Sequence, residues 1–545
     1  MNGLANGLAI RYRLRFAVAI TMAALLLLTV GARVSHAQTT GTTSEYIVEM
    51  QAGYTPTQGR DIVAELGGQV TTPTLPVING FGAMLDDESA DELSARPGVA
   101  SVTMNTDLGG DNATSGGGRC PQVNVRKKAP KLKGNAATRI PNPQAAIGKF
   151  GQPLQTTIGA DKAWNRGVNG NGVGVAVVDT GVAGYLPDFM SGGQSRVIAS
   201  AVTNPCATDA DDHVGHGTHV AGLIAGNSVG YGGPAINGRY MGVAPKANIV
   251  SVKVSDDGGD TTVLDVIYGL QFVVDNRDSL GIRVVNLSLS ASVAESYKTD
   301  PLDAAAEAAW FAGIVVVAAS GNDGAVDGAV SYSPGNDPYV ITTGALDDRG
   351  TASLTDDVVP GWSSRGVTQD GFAKPDVLAP GTKLVAALAP SSTFPSLCRT
   401  CTVGRTYFRL SGTSMATAVV SGTAALMLQN RPGLTPNQVK GTLVSTARRL
   451  TGGGPAVDAN AALDGQGTAN GGLAPSTLID PATGGIDWSR ASFRRASFRD
   501  AAGSPFGALW TRASFRCDCG LDASGEIDSS RASFRRVSFR RNYDF

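Results

Sequence analysis

Between residues 151 and 465 one pattern recurs: a short, almost continuous apolar run, a turn, then a longer stretch with helical spacing. The runs Val173–Val178, Asn248–Val254, Arg283–Leu289, Ile314–Ala319 and Val340–Thr343 predict strands, with helices over about 262–275 and 301–312 between them. Gly313 is placed to stop the second helix before the next strand. Near-continuous apolar strands separated by helices predict an α/β domain with a central parallel β-sheet and helices on both faces. Ligands of such sheets bind beyond the carboxyl ends of the strands, which directs attention to polar residues there.

The flanking regions follow other patterns. Tyr46–Met50 and Val99–Met104 alternate like strands, Gln58–Leu66 and Glu88–Arg96 look helical, and Gly67-Gly68 ends the first helix. They predict a small α+β, ferredoxin-like module, in which residues such as Gln58 and Leu85 suggest no chemistry. A Gly- and Lys-rich stretch from about 106 to 150, with Ser115–Gly118 and Arg126–Lys128, reads as an exposed linker open to proteolysis. At the N-terminus Arg11, Arg13 and Arg15 precede the apolar run Phe16–Val30 and the small residues of Ser35–Ala37. This is a secretory signal with cleavage after Ala37, an uncleaved anchor being the rival. From 486 onward Arg-Ala-Ser-Phe-Arg recurs at 490, 495, 512 and 531, with Arg-Val-Ser-Phe-Arg at 536. The five-residue step fits neither helix nor strand. It reads either as a solvated extension or as an attachment segment, its Arg suited to anionic cell-envelope polymers and its Phe to apolar contact.

Composition narrows the class. The 42% hydrophobic content excludes wholesale disorder, and a net charge of −1 gives no field directed at nucleic acid. Glycine, 70 of 545 residues, is about twice the usual share without a collagen period. Six cysteines, all beyond the signal, fit an oxidising destination. Cys398-Arg-Thr-Cys401 reads as a local disulfide loop rather than a redox or zinc half-site. Cys517-Asp-Cys519 is too tight to bridge comfortably, and the remaining pairing stays open.

Only three histidines lie beyond the signal, in Asp-Asp-His213-Val-Gly-His216-Gly-Thr-His219. They could be metal ligands of a hydrolase, except that a helix starting at His216-Gly217 leaves the first two at or before its start. The other reading is one general base at a helix start, served by a carboxylate and a nucleophile from elsewhere. Asp179 ends an apolar strand, where a carboxylate is costly unless paired; the plainer reading is a turn or cap. Ser414 lies in a Gly-containing turn entering the apolar stretch Ala416–Leu428, beside a positive helix end, or it is an ordinary N-cap. Asn322, in Gly321-Asn322-Asp323-Gly324, sits just past a strand end, where a turn Asn is common.

Taken together, Val177-Val-Asp179-Thr-Gly, His216-Gly-Thr-His-Val-Ala-Gly222 and Gly412-Thr-Ser414-Met-Ala416 closely resemble, in order, the signature blocks of subtilisin-like serine proteases, the subtilases. The resemblance covers about 155–465 and implies a secreted serine endopeptidase. In it Ser414 is the nucleophile, His216 the general base and acid, Asp179 its orienter, and Asn322 an oxyanion-hole donor. It implies substrate contacts from Ser288, Leu289 and Ser290 and from Ala318, Ala319, Ser320 and Gly321. Ser290 stands where the family has glycine, and Ala418 where proline is common. By the same resemblance the N-terminal module is a propeptide that inhibits the enzyme and is removed by it. The expected organisation is signal 1–37, propeptide 38–110, linker or mature N-terminal arm 111–150, catalytic domain 151–465 and extension 466–545. No cofactor is needed for the chemistry. Structural calcium is common in the family, but Asp209, Asp211 and Asp212 read equally as a solvated loop, and no metal ligands are assigned. A metal-dependent hydrolase using His213, His216 and His219, or a catalytically silent surface-binding protein, are the alternatives.

Overall fold

The computed structural model describes residues 11–13, 43–105, 143–229 and 237–479, apart from a few single positions within these spans. The apolar run of the signal, most of the linker and the Arg-Ser-Phe repeats lie outside the described residues.

The N-terminal module runs β1 (Ser44–Met50), α1 (Pro56–Glu65), β2 (Gln69–Val70), β3 (Gly80–Leu85), α2 (Asp87–Ser94) and β4 (Val99–Met104). Its sheet is antiparallel in the order β2–β3–β1–β4, the ferredoxin-like βαββαβ arrangement that the sequence predicts. The ends of α1 are set locally: Thr55 and Gln58 form a reciprocal capping box, with Pro56 in the first turn.

The large domain continues with β5 (Gly174–Asp179), β6 (Val197–Val202), α3 (His216–Ala225), β7 (Asn248–Lys253), α4 (Val263–Asp275), β8 (Ile282–Leu287) and α5 (Pro301–Phe311). There follow β9 (Val315–Ala319), β10 (Ile341–Leu346), β11 (Val377–Pro380), β12 (Leu384–Ala387), β13 (Tyr407–Leu410) and α6 (Thr413–Asn430). Seven of these strands form one parallel sheet in the order β6–β7–β5–β8–β9–β10–β11. Arg11–Arg13 pairs beside β6, and the short segments Pro455–Ala456 and Arg448–Arg449 extend the other end. Every residue of β5 and β9 is buried, as expected for a sheet covered on both faces. Helices α3 and α6 pack together against it, and α4 and α5 form the second pair.

All five predicted strands of this domain form, within a few residues. The sequence pattern missed β6, β11 and the antiparallel pair β12–β13. In β6 buried positions are mixed with half-buried ones, which weakens the run, and β11 has only four residues, ending in Pro380.

The module docks on the large domain through strand alternation. Along β1, Tyr46, Val48 and Met50 enter the module's own core with Val63, Phe81 and Leu93. Ile47 belongs instead to the core of the large domain. Glu49 shares the parity of Ile47 and is fully buried. At the start of α4, the Leu264 N–H donates to Asn105 Oδ1 at 3.1 Å.

Candidate active site

Asp179 is the last residue of β5, and His216 is the first residue of α3. His216 Nδ1 lies 2.6 Å from Asp179 Oδ1, and both side chains are almost completely buried. A carboxylate can only accept, so Nδ1 carries the proton and Nε2 is left as the basic nitrogen. The same Asp179 oxygen accepts from the Thr180 N–H at 2.8 Å, which fixes the carboxylate's orientation. The close approach of strand end and helix depends on glycine. Gly215 sits at φ +108°, in the left-handed region, and a Cβ on Gly217 would run into the Gly181 carbonyl.

Ser414 is the second residue of α6, behind Gly412. Its Oγ donates to the Ser288 carbonyl at 3.2 Å, just past the end of β8. The helix start points its amides at the space beside the hydroxyl, where negative charge is favoured. Asn322 follows β9 and accepts the Thr413 N–H on Oδ1 at 2.9 Å. That bond takes the amide oxygen, so the NH₂ end is the donor of this side chain. Because β5, β8 and β9 are consecutive in the sheet, Asp179, Ser288 and Asn322 come to one edge, at the carboxyl ends of the strands. The structure joins Asp179 to His216, and joins Asn322 to Thr413, the neighbour of Ser414.

The segments expected to meet substrate border this edge. Ser288 is tied into the floor: its Oγ donates to the Ser414 carbonyl at 2.9 Å and accepts from Asn286 Nδ2 at 2.9 Å. Leu289 and Ser290 are also nearly buried. Ala318 and Ala319 close β9, and Ser320 hydroxyl donates to the Ser364 carbonyl at 3.0 Å. Gly321 turns the chain towards Asn322.

The other two histidines do not join His216. His219 Nε2 faces the carbonyls of Phe408 at 3.0 Å and Leu384 at 3.2 Å, and burial holds its pKa down at about 3. It is a neutral core histidine. His213 Nε2 lies 3.0 Å from Asp209. Three rings with separate partners do not make a trihistidine metal centre.

The carboxylates of the acidic loop are engaged by protein groups. Asp211 accepts from Tyr185 and Ser391 hydroxyls, and both Asp212 oxygens are taken by protein donors. Asp209, His213 and Asp257 do converge, but Lys253 Nζ sits 2.6 Å from Asp257 and already supplies a cation. Sequence reasoning passed over Thr180 and Lys253, although the Thr-Gly after Asp179 marks a shared turn.

Disulfide Cys398–Cys401 forms as expected. Cys206 is also disulfide-bonded, with its partner outside the described residues.

Gly217→Ala should push α3 away from β5 and open the Asp179–His216 contact. The expected result is a fall of about 10²-fold in the rate at which a serine-directed phosphonate modifies Ser414. A wild-type rate would show that the close approach is not needed.

Comparison with known proteins gives the family. Residues 170–468 match the model of the subtilase family. Serine protease AprX of Bacillus subtilis is 43% identical over 279 residues, half of this chain and 60% of that protein. Subtilisin Savinase of Lederbergia lenta is 36% identical over 293 residues, 53% of this chain and 89% of Savinase. The crystal structure of fervidolysin from Fervidobacterium pennivorans, a keratinolytic enzyme related to subtilisin, superposes with a TM-score of 0.56 at 25% identity. That superposition covers 79% of this chain and 62% of fervidolysin. The family match spans more than half of the chain, around the same strand ends and helix starts that hold Asp179, His216, Asn322 and Ser414, and the chain belongs to the subtilase family.

Proposed function

We propose that the protein is a serine endopeptidase, exported and made as a zymogen that processes itself. The observation that carries this is the buried 2.6 Å contact between His216 Nδ1 and Asp179, which leaves Nε2 as base at the edge where Ser414 heads its helix. Ser414 Oγ attacks a peptide carbonyl as His216 takes the proton, and Asp179 stabilises the imidazolium that forms. The oxyanion is held by Asn322 Nδ2 and the Ser414 N–H. His216 then protonates the leaving amine, and water releases the acyl group by the reverse roles. Ser288–Ser290 and Ala318–Gly321 line the site for a polypeptide laid along them, by strand addition.

Export rests on the charged and apolar N-terminal pattern; among the described residues no helix is long and apolar enough to cross a membrane. The module of residues 44–105 is the inhibitory propeptide, and its docking against α4 supports that role. Cell-envelope contact by the C-terminal repeats belongs to the same proposal, with Arg and Phe as the contacting groups.

Full-length wild type and Ser414→Ala provide the test. Wild type should release its N-terminal module and Ser414→Ala should retain it; normal processing by the Ala variant would overturn the mechanism.

Docking of the module should also depend on pH. Burial raises the Glu49 pKa from 4.5 to about 8; Ser101 hydroxyl opposes the shift, and Asp300 and Glu295 of the large domain add to it. Docked Glu49 is therefore protonated, whereas an exposed carboxyl ionises near 4.5. Its contribution to docking is complete below that value and is lost as pH rises towards 8. In the Ser414→Ala chain, hydrogen exchange of β1 amides, corrected for intrinsic chemistry, should accelerate from pH 5 to pH 8.5 (on the order of tenfold per unit of lost linkage). Glu49→Gln should flatten the dependence; an unchanged slope would rule Glu49 out as its source.

A further inference from the structure

We propose that Asp212 is a positioning residue for the Asp179–His216 pair, clamping the two chain segments that carry it. The proposal rests on the peptidase function above. Helix α3 begins behind Gly215, which has no side chain to cap it, so its first N–H groups need acceptors from elsewhere. Asp212 provides them: Oδ1 accepts the Gly215 N–H at 2.6 Å, and Oδ2 accepts the Thr218 N–H at 2.8 Å. The same Oδ1 accepts the Thr180 hydroxyl at 2.9 Å. Thr180 Oγ1 in turn accepts the Gly217 N–H at 3.0 Å, while the Thr180 N–H holds Asp179.

The bonds close a ring. It runs from Asp179 through Thr180 to Asp212, on to the start of α3, and back through His216 to Asp179. Two of the three connections from Asp212 end one residue away from a member of the pair: Thr180 follows Asp179, and Gly215 precedes His216. The third ends at Thr218, one turn into the helix that His216 begins. Asp212 itself is fully buried and has no ion-pair partner among the described residues; burial raises its pKa, while its donors and the positive end of α3 oppose that shift. Ser391 Oγ holds the Asp212 carbonyl at 3.0 Å, so the residue is fixed at both its backbone and its side chain. A capping role alone would need only the two helix amides. The third bond, to Thr180, links the helix to the segment that presents Asp179.

An Asn at 212 keeps the shape but turns an NH₂ group against a donor, which must open one connection. With Asp212→Asn, kcat on a chromogenic peptide anilide should fall about 10- to 100-fold, with KM within about twofold of wild type. Each full-length chain is matured first, slow variants with a trace of tagged wild type that is then removed, and folding is checked by thermal unfolding. Thr180→Val breaks the same ring and should lower kcat similarly, whereas Thr180→Ser keeps the hydroxyl and should recover most of the loss. In the double variant Thr180→Val/Asp212→Asn the losses should not add, because one linkage has already been cut. If Asp212→Asn fails to fold, the Thr180→Val and Thr180→Ser pair still decides. A wild-type kcat in Asp212→Asn, equal losses in Thr180→Val and Thr180→Ser, or fully additive losses would overturn the proposal. Hydrolysis of the anilide by Ser414→Ala would instead overturn the peptidase function on which it rests.

Discussion

The Asp179–His216 contact sets the terms for everything around it. A carboxylate removed from water at the end of an apolar strand is destabilising unless a donor meets it. Nδ1 of a buried imidazole is such a donor, and meeting it fixes the tautomer that leaves Nε2 basic. To bring strand end and helix start within 2.6 Å, the chain must pass where Cβ atoms cannot, which explains glycine at 215 and 217. The aligned parallel strands then deliver Ser288 and Asn322 to the same edge, and α6 presents Ser414 beside them. Asp179 closes a strand and His216 and Ser414 open helices, while Ser288 and Asn322 lie within three residues of a strand end.

What sequence reveals here follows physical strength of pattern. The strands β5, β7, β8, β9 and β10 are buried on both faces and rich in apolar residues, which makes their runs stand out in the sequence. β6 is only half-buried and β11 is four residues long, and neither leaves a clear period. Asp179, His216, Ser414 and Asn322 were legible because each interrupts an apolar or Gly-rich stretch with a group that chemistry requires. Their juxtaposition was legible only through the family resemblance, since more than a hundred residues of fold separate His216 from Asn322 and nearly another hundred separate Asn322 from Ser414.

Asp212 shows the opposite case. In sequence it belongs to an acidic loop, indistinguishable from a solvated cluster or a cation site. The three donors that occupy it come from Thr180 and from backbone amides, and backbone amides leave no mark in a sequence. His213 and His219 look equivalent to His216 for the same reason. Only the fold shows that one faces Asp209 and that the other is a buried neutral ring against two carbonyls.

The docked module obeys a different constraint. A permanent domain contact would carry apolar side chains along the whole outward face of β1, as Ile47 does. Glu49, next but one along the strand, is instead buried opposite Asp300 and Glu295, and Asp265 at the start of α4 is raised to about 8 by burial with Glu45 nearby. Carboxyl groups facing carboxyl groups are tolerated only while they hold protons, so this surface is stable under one condition and strained under another. Such an interface fits the removable propeptide proposed above. On the face of β1 turned to the large domain, Ile47 supplies the apolar fit and Glu49 makes that fit depend on protonation.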